Sequence, residues 1–246
     1  MEIYFLGTGT ITPNPRRAPP GIILKLDNYC LLFDSGPGTV HRMKKAGFSF
    51  NDIDILLYTH FHIDHIGDLP SFIFCTKYHL APREKPLKII GPKGIKEFYF
   101  KLLEAYGEQL EVKYKLTFKE MARGRFITPD FSIFSEPVEH TRESIAYKVI
   151  KDNKTFVYSG DTDYCKGLIR LAKNADILIL ECSLPRKMKG HLDPEHCGKI
   201  AAETNCKKLV LTHFYPETNP DEAIEICRKY YSGEIIAAED GICITV

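Results

Sequence analysis

At 246 residues the chain is long enough to bury a large core, and residues 1–246 are expected to form one domain. A formal charge of +1 leaves no basic surplus for holding a polynucleotide backbone over a broad surface, so an extended nucleic acid is not the expected partner. No apolar run approaches the ~20 residues of a membrane span, and the chain enters Ile3-Tyr4-Phe5-Leu6 without a basic leader, so neither membrane association nor a signal peptide is expected. In chain order, residues 2–6 predict a strand ending in Gly7-Thr8-Gly9-Thr10. Those two glycines either allow close backbone approach to something in a cleft or make a simple turn. A loop with Pro13, Pro15, Pro19 and Pro20 precedes strands at 22–26 and 30–33, around a turn at Asp27-Asn28. Asp34-Ser35-Gly36-Pro37-Gly38-Thr39 closes the second of these and opens a helix running to about Ala46. Asp34 has two readings: it orients a metal-ligating histidine from behind, or its carboxylate caps the turn.

The apolar run at 53–58 reads as a buried strand, and Thr59-His60-Phe61-His62-Ile63-Asp64-His65-Ile66-Gly67-Asp68 follows it directly. Neutral imidazoles and a carboxylate suit zinc and its neighbours, and a turn at a strand end can divide such a cluster between two facing metal positions. The bland alternative is a polar loop that happens to be rich in histidine. Residues 69–78 then predict a helix, 86–91 a strand, and 94–106 a helix with Ile95, Phe98, Leu102 and Tyr106 spaced as core packing. Strands are expected at 112–118, 125–128 and 131–138, and this helix-poor stretch is the expected boundary between two sheets.

In the second half, isolated polar residues stand at strand ends: Glu139-His140-Thr141, Ser159-Gly160-Asp161, Glu181-Cys182-Ser183 and Thr212-His213. One His or Asp after a strand is ordinarily a satisfied turn residue. Four such endings, in a chain that already holds the histidine cluster, point instead to a site assembled at one edge of a layered α/β fold. The eight cysteines include no C-x-x-C pair, which predicts free thiols in a reducing cytoplasm rather than disulfides or a zinc–thiolate site. His41, His79 and His196 read as surface or structural residues, the last in the first turn of a helix opened by Asp193-Pro194-Glu195.

These residues carry a resemblance to the metallo-β-lactamase superfamily. Its H-x-H-x-D-H signature is matched by His60 to His65, and His140, Gly160-Asp161 and His213 match its remaining ligands in order. Within it the chain is most similar to the ribonuclease Z-like branch, through Gly7-Thr8-Gly9, residues 34–39, the strand and turn at 86–92, Glu181, Gly190-His191 and Glu239-Asp240-Gly241. The resemblance implies a four-layer αβ/βα sandwich with a dinuclear site at one edge. It implies that His60, His62 and His140 hold one divalent ion, that Asp64, His65 and His213 hold the other, and that Asp161 bridges them. Zinc is the first choice, with manganese or iron as alternatives. The implied chemistry is hydrolysis by attack of a metal-bound hydroxide on phosphorus. Asp64, His191 and Glu181 are the implied catalytic residues, His191 as the acid that protonates the leaving oxygen and Glu181 as the group that orients it; an exposed loop histidine is the rival reading of His191.

The departures decide the substrate expected. Ribonuclease Z proper carries glutamate and glutamine where Pro37 and Val40 stand here, and its bacterial members insert a long tRNA-gripping arm between the ligands matched by His140 and Asp161. Only twenty residues separate those two here, and they read as one hairpin turning at Asp152-Asn153. A small phosphodiester or nucleotide is therefore the expected substrate. An arm-less tRNA 3′-end endonuclease and a lactone or carboxylic ester hydrolase are the alternatives, and a homodimer is left open.

Overall fold

In the computed structural model, which describes residues 1–246, the chain first lays down β1 (Glu2–Gly7), β2 (Gly21–Leu26), β3 (Tyr29–Phe33), α1 (Thr39–Lys45), β4 (Ile55–Leu57), the single turn α2 (Ile63–Ile66) and α3 (Leu69–Tyr78). There follow β5 (Leu87–Pro92), α4 (Ile95–Tyr106), β6 (Leu116–Met121), β7 (Gly124–Ile127), β8 (Ser132–Pro137), β9 (Ile145–Lys151) and β10 (Lys154–Tyr158). The last third supplies α5 (Lys166–Ala172), β11 (Ile177–Glu181), α6 (Pro194–Thr204), β12 (Lys208–Thr212), α7 (Pro220–Cys227), β13 (Glu234–Ala237) and β14 (Cys243–Thr245).

The strands form two seven-stranded sheets, ordered β14-β1-β2-β3-β4-β5-β6 and β13-β12-β11-β10-β9-β8-β7. Each is half antiparallel and half parallel: β3 to β6 run parallel in the first, β10 to β13 in the second. The expected boundary between the sheets falls where β6 closes the first and β7 opens the second. Short runs of consecutive apolar residues become strands because both faces are covered. In β4, Ile55 and Leu57 enter the core between the sheets while Leu56 packs outward under the helices. In β11, Ile177 and Ile179 face inward while Leu178 and Leu180 pack outward. The inner core is aromatic at its centre, with Phe33 against Tyr147, Phe156 and Tyr158 at 5.0–6.1 Å. Helices α1, α3 and α4 cover one sheet and α5, α6 and α7 the other, which completes the αβ/βα sandwich.

Some boundaries differ from the sequence expectation. The run at 53–58 enters the ladder only over Ile55–Leu57, although Ile53 and Tyr58 are also buried. The strand expected from residue 112 begins at Leu116, because Tyr114 turns inward to share a 2.9 Å hydrogen bond with the Thr76 hydroxyl. Tyr106 of α4 is 47% exposed rather than packed, and Leu110, from the 3-10 turn after Gly107, fills the core instead.

The connectivity positions the site. Strands β1, β3, β4, β8, β10, β11 and β12 all end at the same edge, since β1 runs with β3 across two antiparallel pairings and β8 runs with β10 likewise. Polar bonds tie the sheets together there: Tyr147 Oη donates to the Tyr58 carbonyl at 2.9 Å, and the Ile145 amide to the Thr59 carbonyl at 3.0 Å. His140 and Asp161 are joined only by the β9–β10 hairpin, whose turn residues Asp152 and Asn153 both take positive φ (50° and 62°), the geometry of a tight two-residue turn.

Candidate metal centre

Four strand ends converge on one cleft. The loop after β4 brings His60, His62, Asp64 and His65; β8 leads to His140, β10 to Asp161 and β12 to His213. Two close sets result: His60, His62, His140 and Asp161, and beside them Asp64, His65 and His213. Asp161 lies between the two. Its Oδ2 is 3.9 Å from His60 Nε2 and 3.7 Å from His140 Nε2, while its Oδ1 is 3.2 Å from His65 Nε2 and 3.4 Å from His213 Nε2. His213 Nε2 is also 3.5 Å from Asp64 Oδ2.

The backbone is bent to achieve this. His213 takes φ 60°, a left-handed conformation that costs a non-glycine residue roughly 1–2 kcal/mol. Gly160 takes φ 58°, and a Cβ there would lie 2.6 Å from Thr59 Cβ, so only glycine lets the β10 end approach the histidine loop. The loop after β3 clasps that loop from the other side, with the Ser35 amide donating to the His65 carbonyl and the Asp68 amide to the Ser35 carbonyl.

A second ring of polar groups orients the imidazoles. His65 Nδ1 lies 2.7 Å from Asp34 Oδ2, His140 Nδ1 lies 2.8 Å from the Gly190 carbonyl, and His213 Nδ1 lies 2.9 Å from Ser183 Oγ. His60 Nδ1 lies 3.0 Å from the Thr59 hydroxyl, which itself donates to Asp34. With each Nδ1 carrying the donated proton, Nε2 of all four rings offers a lone pair to the cleft. His62 turns the other way and presents Nδ1, 3.1 Å from His140 Nε2. Asp34, buried at φ 52°, also accepts from the Thr59 amide at 2.9 Å and Tyr158 Oη at 3.0 Å.

This donor set fits two divalent ions. His65 Nε2 and His213 Nε2 stand 3.2 Å apart. Tetrahedral zinc with ~2.0–2.1 Å bonds to nitrogen sets neighbouring ligands about 3.3–3.4 Å apart. Buried His60 Nε2 and Asp161 Oδ1 have no hydrogen-bond partner in the protein, and both point into the cleft. The electrostatics agree for His60 and His62. Burial, with the neighbouring imidazoles, holds His60 well below the ordinary histidine range and lowers His62, which keeps both neutral. Burial opposes charge on Asp64, but the neighbouring His213 and His65 outweigh it and pull its carboxyl to about 2. Burial also opposes charge on His65, yet Asp161 and Asp34 hold its pKa well above the usual range; a cation on Nε2 would satisfy the same field.

At the mouth stands His191, partly buried rather than free in solvent. Its Nδ1 is 3.1 Å from both Glu181 oxygens and 3.9 Å from Asp161 Oδ2. Burial disfavours its charge, but Glu181 overcomes this by hydrogen bond and charge, raising its pKa to about 9. Glu181, at the end of β11, also accepts from the Thr162 amide at 2.7 Å and from the Ser183 hydroxyl. His41 and His79 are exposed, and His196 Nδ1 lies 2.6 Å from Asp193, its helix N-cap; none of these three reaches the cleft. Thr59, Ser183, Tyr158 and Thr162 carried no functional reading from sequence. Thr59 and Thr162 stand next to His60 and Asp161, and Ser183 two residues from Glu181; Tyr158 had no such signal.

The family model described as anti-Pycsar protein Apyc1 matches residues 1–230. A curated ribonuclease Z from Methanosarcina mazei is 26% identical, over 98% of this chain and 96% of its own length. Among solved structures, the metallo-β-lactamase fold protein YhfI from Bacillus subtilis superposes with a TM-score of 0.87 at 24% identity, covering 99% of this chain and 98% of its own. The short form of human tRNase Z, ELAC1, superposes with a TM-score of 0.83 at 24% identity, covering 100% and 99%.

Proposed function

The chain belongs to the family described as anti-Pycsar protein Apyc1, and from that premise we propose that it is a dinuclear metal-dependent phosphodiesterase acting on a small phosphodiester such as a nucleotide. Its relatives named ribonuclease Z and tRNase Z support phosphodiester chemistry. His60, His62 and His140 would hold one ion and Asp64, His65 and His213 the other, with Asp161 within reach of both sets; the nitrogen-rich set suits zinc ahead of manganese or iron. When bound, the two ions supply an activated water and charge neutralisation at phosphorus.

The observation that carries the reading beyond a generic hydrolase is the Glu181–His191 pair at the cleft mouth, 3.9 Å from Asp161. Phosphodiester cleavage expels an alkoxide, a poor leaving group unless it receives a proton as it departs. His191 carries that proton on Nε2, while Nδ1 donates to Glu181 and fixes the ring. Carboxylic ester and lactone hydrolysis proceeds through a tetrahedral centre with less need of such an acid. The cleft favours a compact substrate, because the β9–β10 hairpin takes the whole connection between His140 and Asp161. A metal-loaded panel of cyclic and linear nucleotide diesters, phosphomonoesters, lactones, thioesters and a trailer-bearing precursor tRNA tests the proposal. Highest kcat/KM on a small diester supports it. Highest turnover on a lactone or thioester refutes the chemistry, and highest turnover on the tRNA refutes the substrate size.

A further inference from the structure

The two halves of the site repeat one arrangement of hydrogen bonds. In the first, buried Asp34 binds His65 directly and reaches His60 through the Thr59 hydroxyl. In the second, buried Glu181 binds His191 directly and reaches His213 through the Ser183 hydroxyl. Ser183 is fully buried, and its backbone is pinned: its carbonyl accepts from Thr218 Oγ1 at 2.7 Å and from the Tyr215 amide at 3.1 Å. A hydroxyl has one proton to give. The Ser183 hydroxyl donates it to Glu181 Oε2, so toward His213 Nδ1, 2.9 Å away, it can only accept. That requires the proton of His213 on Nδ1 and leaves Nε2 for the cleft.

We infer that Ser183 is a positioning residue that couples the ion held by His213 to the proton donor held by Glu181. The one hydroxyl sets the tautomer of a metal ligand and the orientation of the carboxylate that fixes His191. Ser183 touches neither ion nor substrate; it acts through His213 on one side and Glu181 on the other. Loss of the hydroxyl leaves His213 Nδ1 without an acceptor and Glu181 Oε2 without one of its donors. Both sides of the site then loosen at once. A threonine keeps the hydroxyl and should keep both functions.

The inference rests on the two-ion reading, and the test separates the two. Metal-free wild type, S183A, S183T, H213A and the double variant S183A/H213A are titrated with zinc against a chromophoric chelator, which measures stoichiometry and affinity without any turnover. The expected result is two ions in wild type, with one of them bound ~10–100-fold more weakly in S183A and the other within about threefold. S183T should return to within a few-fold of wild type. In the H213A background, adding S183A should change zinc affinity little, because the hydroxyl then has no ligand to hold. In turnover, S183A should lose kcat more on a diester with an alkyl leaving group than on an aryl diester, with KM little changed. The inference is overturned if S183A binds both ions as wild type does, if it weakens both equally, or if S183A and H213A are additive. A wild type that binds only one ion overturns the two-ion reading instead. The Ser183 link then stands or falls on whether that single ion loosens in S183A.

Discussion

Replacing His191 with alanine should separate the leaving-group step from everything else the site does. His191 is only partly buried, and its partners Glu181 Oε1 and Oε2 keep their bonds to the Thr162 amide and the Ser183 hydroxyl, so the variant should fold and hold both ions. In the metal-free chain its pKa is about 9, raised by Glu181 against the effect of burial. Divalent ions bound nearby would push it back down from that value. A positioned acid contributes ~10²–10⁴-fold, and that is the loss of kcat expected for an alkyl diester. For bis(p-nitrophenyl) phosphate, whose phenolate leaves without a proton, the loss should stay within about tenfold. The pH profile gives an independent check. The protonated form is the active one, so kcat on the alkyl diester should fall as pH rises through the His191 pKa. The aryl diester should lack that limb. Glu181→Gln removes the charge that raises the pKa, so its limb should move to lower pH. Steady-state kinetics on the two substrates, with zinc content measured alongside, reads all of this. Equal losses on both substrates would refute the acid role and assign His191 to phosphate binding; no loss on either would refute any role in turnover.

Elemental analysis of metal-replete protein should give close to two ions per chain, and His60→Ala or Asp161→Ala should lower both occupancy and activity; a fully active protein with one ion or none would sink the dinuclear reading. Asp34→Asn should weaken metal binding by ~10–100-fold in chelator competition, because Asp34 orients His65 directly and His60 through Thr59; unchanged affinity would show that the carboxylate serves the loop alone. Gly160→Ala should lower stability by about 1–3 kcal/mol in a denaturant melt, since its Cβ would meet Thr59 Cβ at 2.6 Å from a backbone at φ 58°; an unshifted midpoint would contradict that packing. Trailer-bearing precursor tRNA should be cut poorly, because tRNA affinity depends on phosphate contacts far from the reacting centre; a gel showing efficient cleavage at nanomolar enzyme would reverse the substrate ranking.

The sequence by itself determined which groups could meet at a metal centre, and largely how the strands would lie. His60 to His65 are adjacent in the chain, so their chemistry is local and visible, and both-faces-buried strands such as β4 and β11 announce themselves as unbroken apolar runs. The hairpin at Asp152-Asn153 was equally legible, because its turn chemistry lies within two residues. Hydrogen-bond partners were not. Asp34 admitted two readings from sequence, and only the meeting of β3 with β4 puts it 2.7 Å from His65. Ser183 and Thr59 look like any polar residue at a strand end until the parallel pairing of β11 with β12, and of β3 with β4, sets each hydroxyl between a carboxylate and an imidazole. The exposed face of Tyr106 and the inward turn of Tyr114 were likewise decided by neighbours distant in sequence. Apolar patterning and ligand spacing are properties of a local stretch, whereas a tautomer or a raised pKa belongs to a pair of groups that only the folded sheets bring within hydrogen-bonding distance.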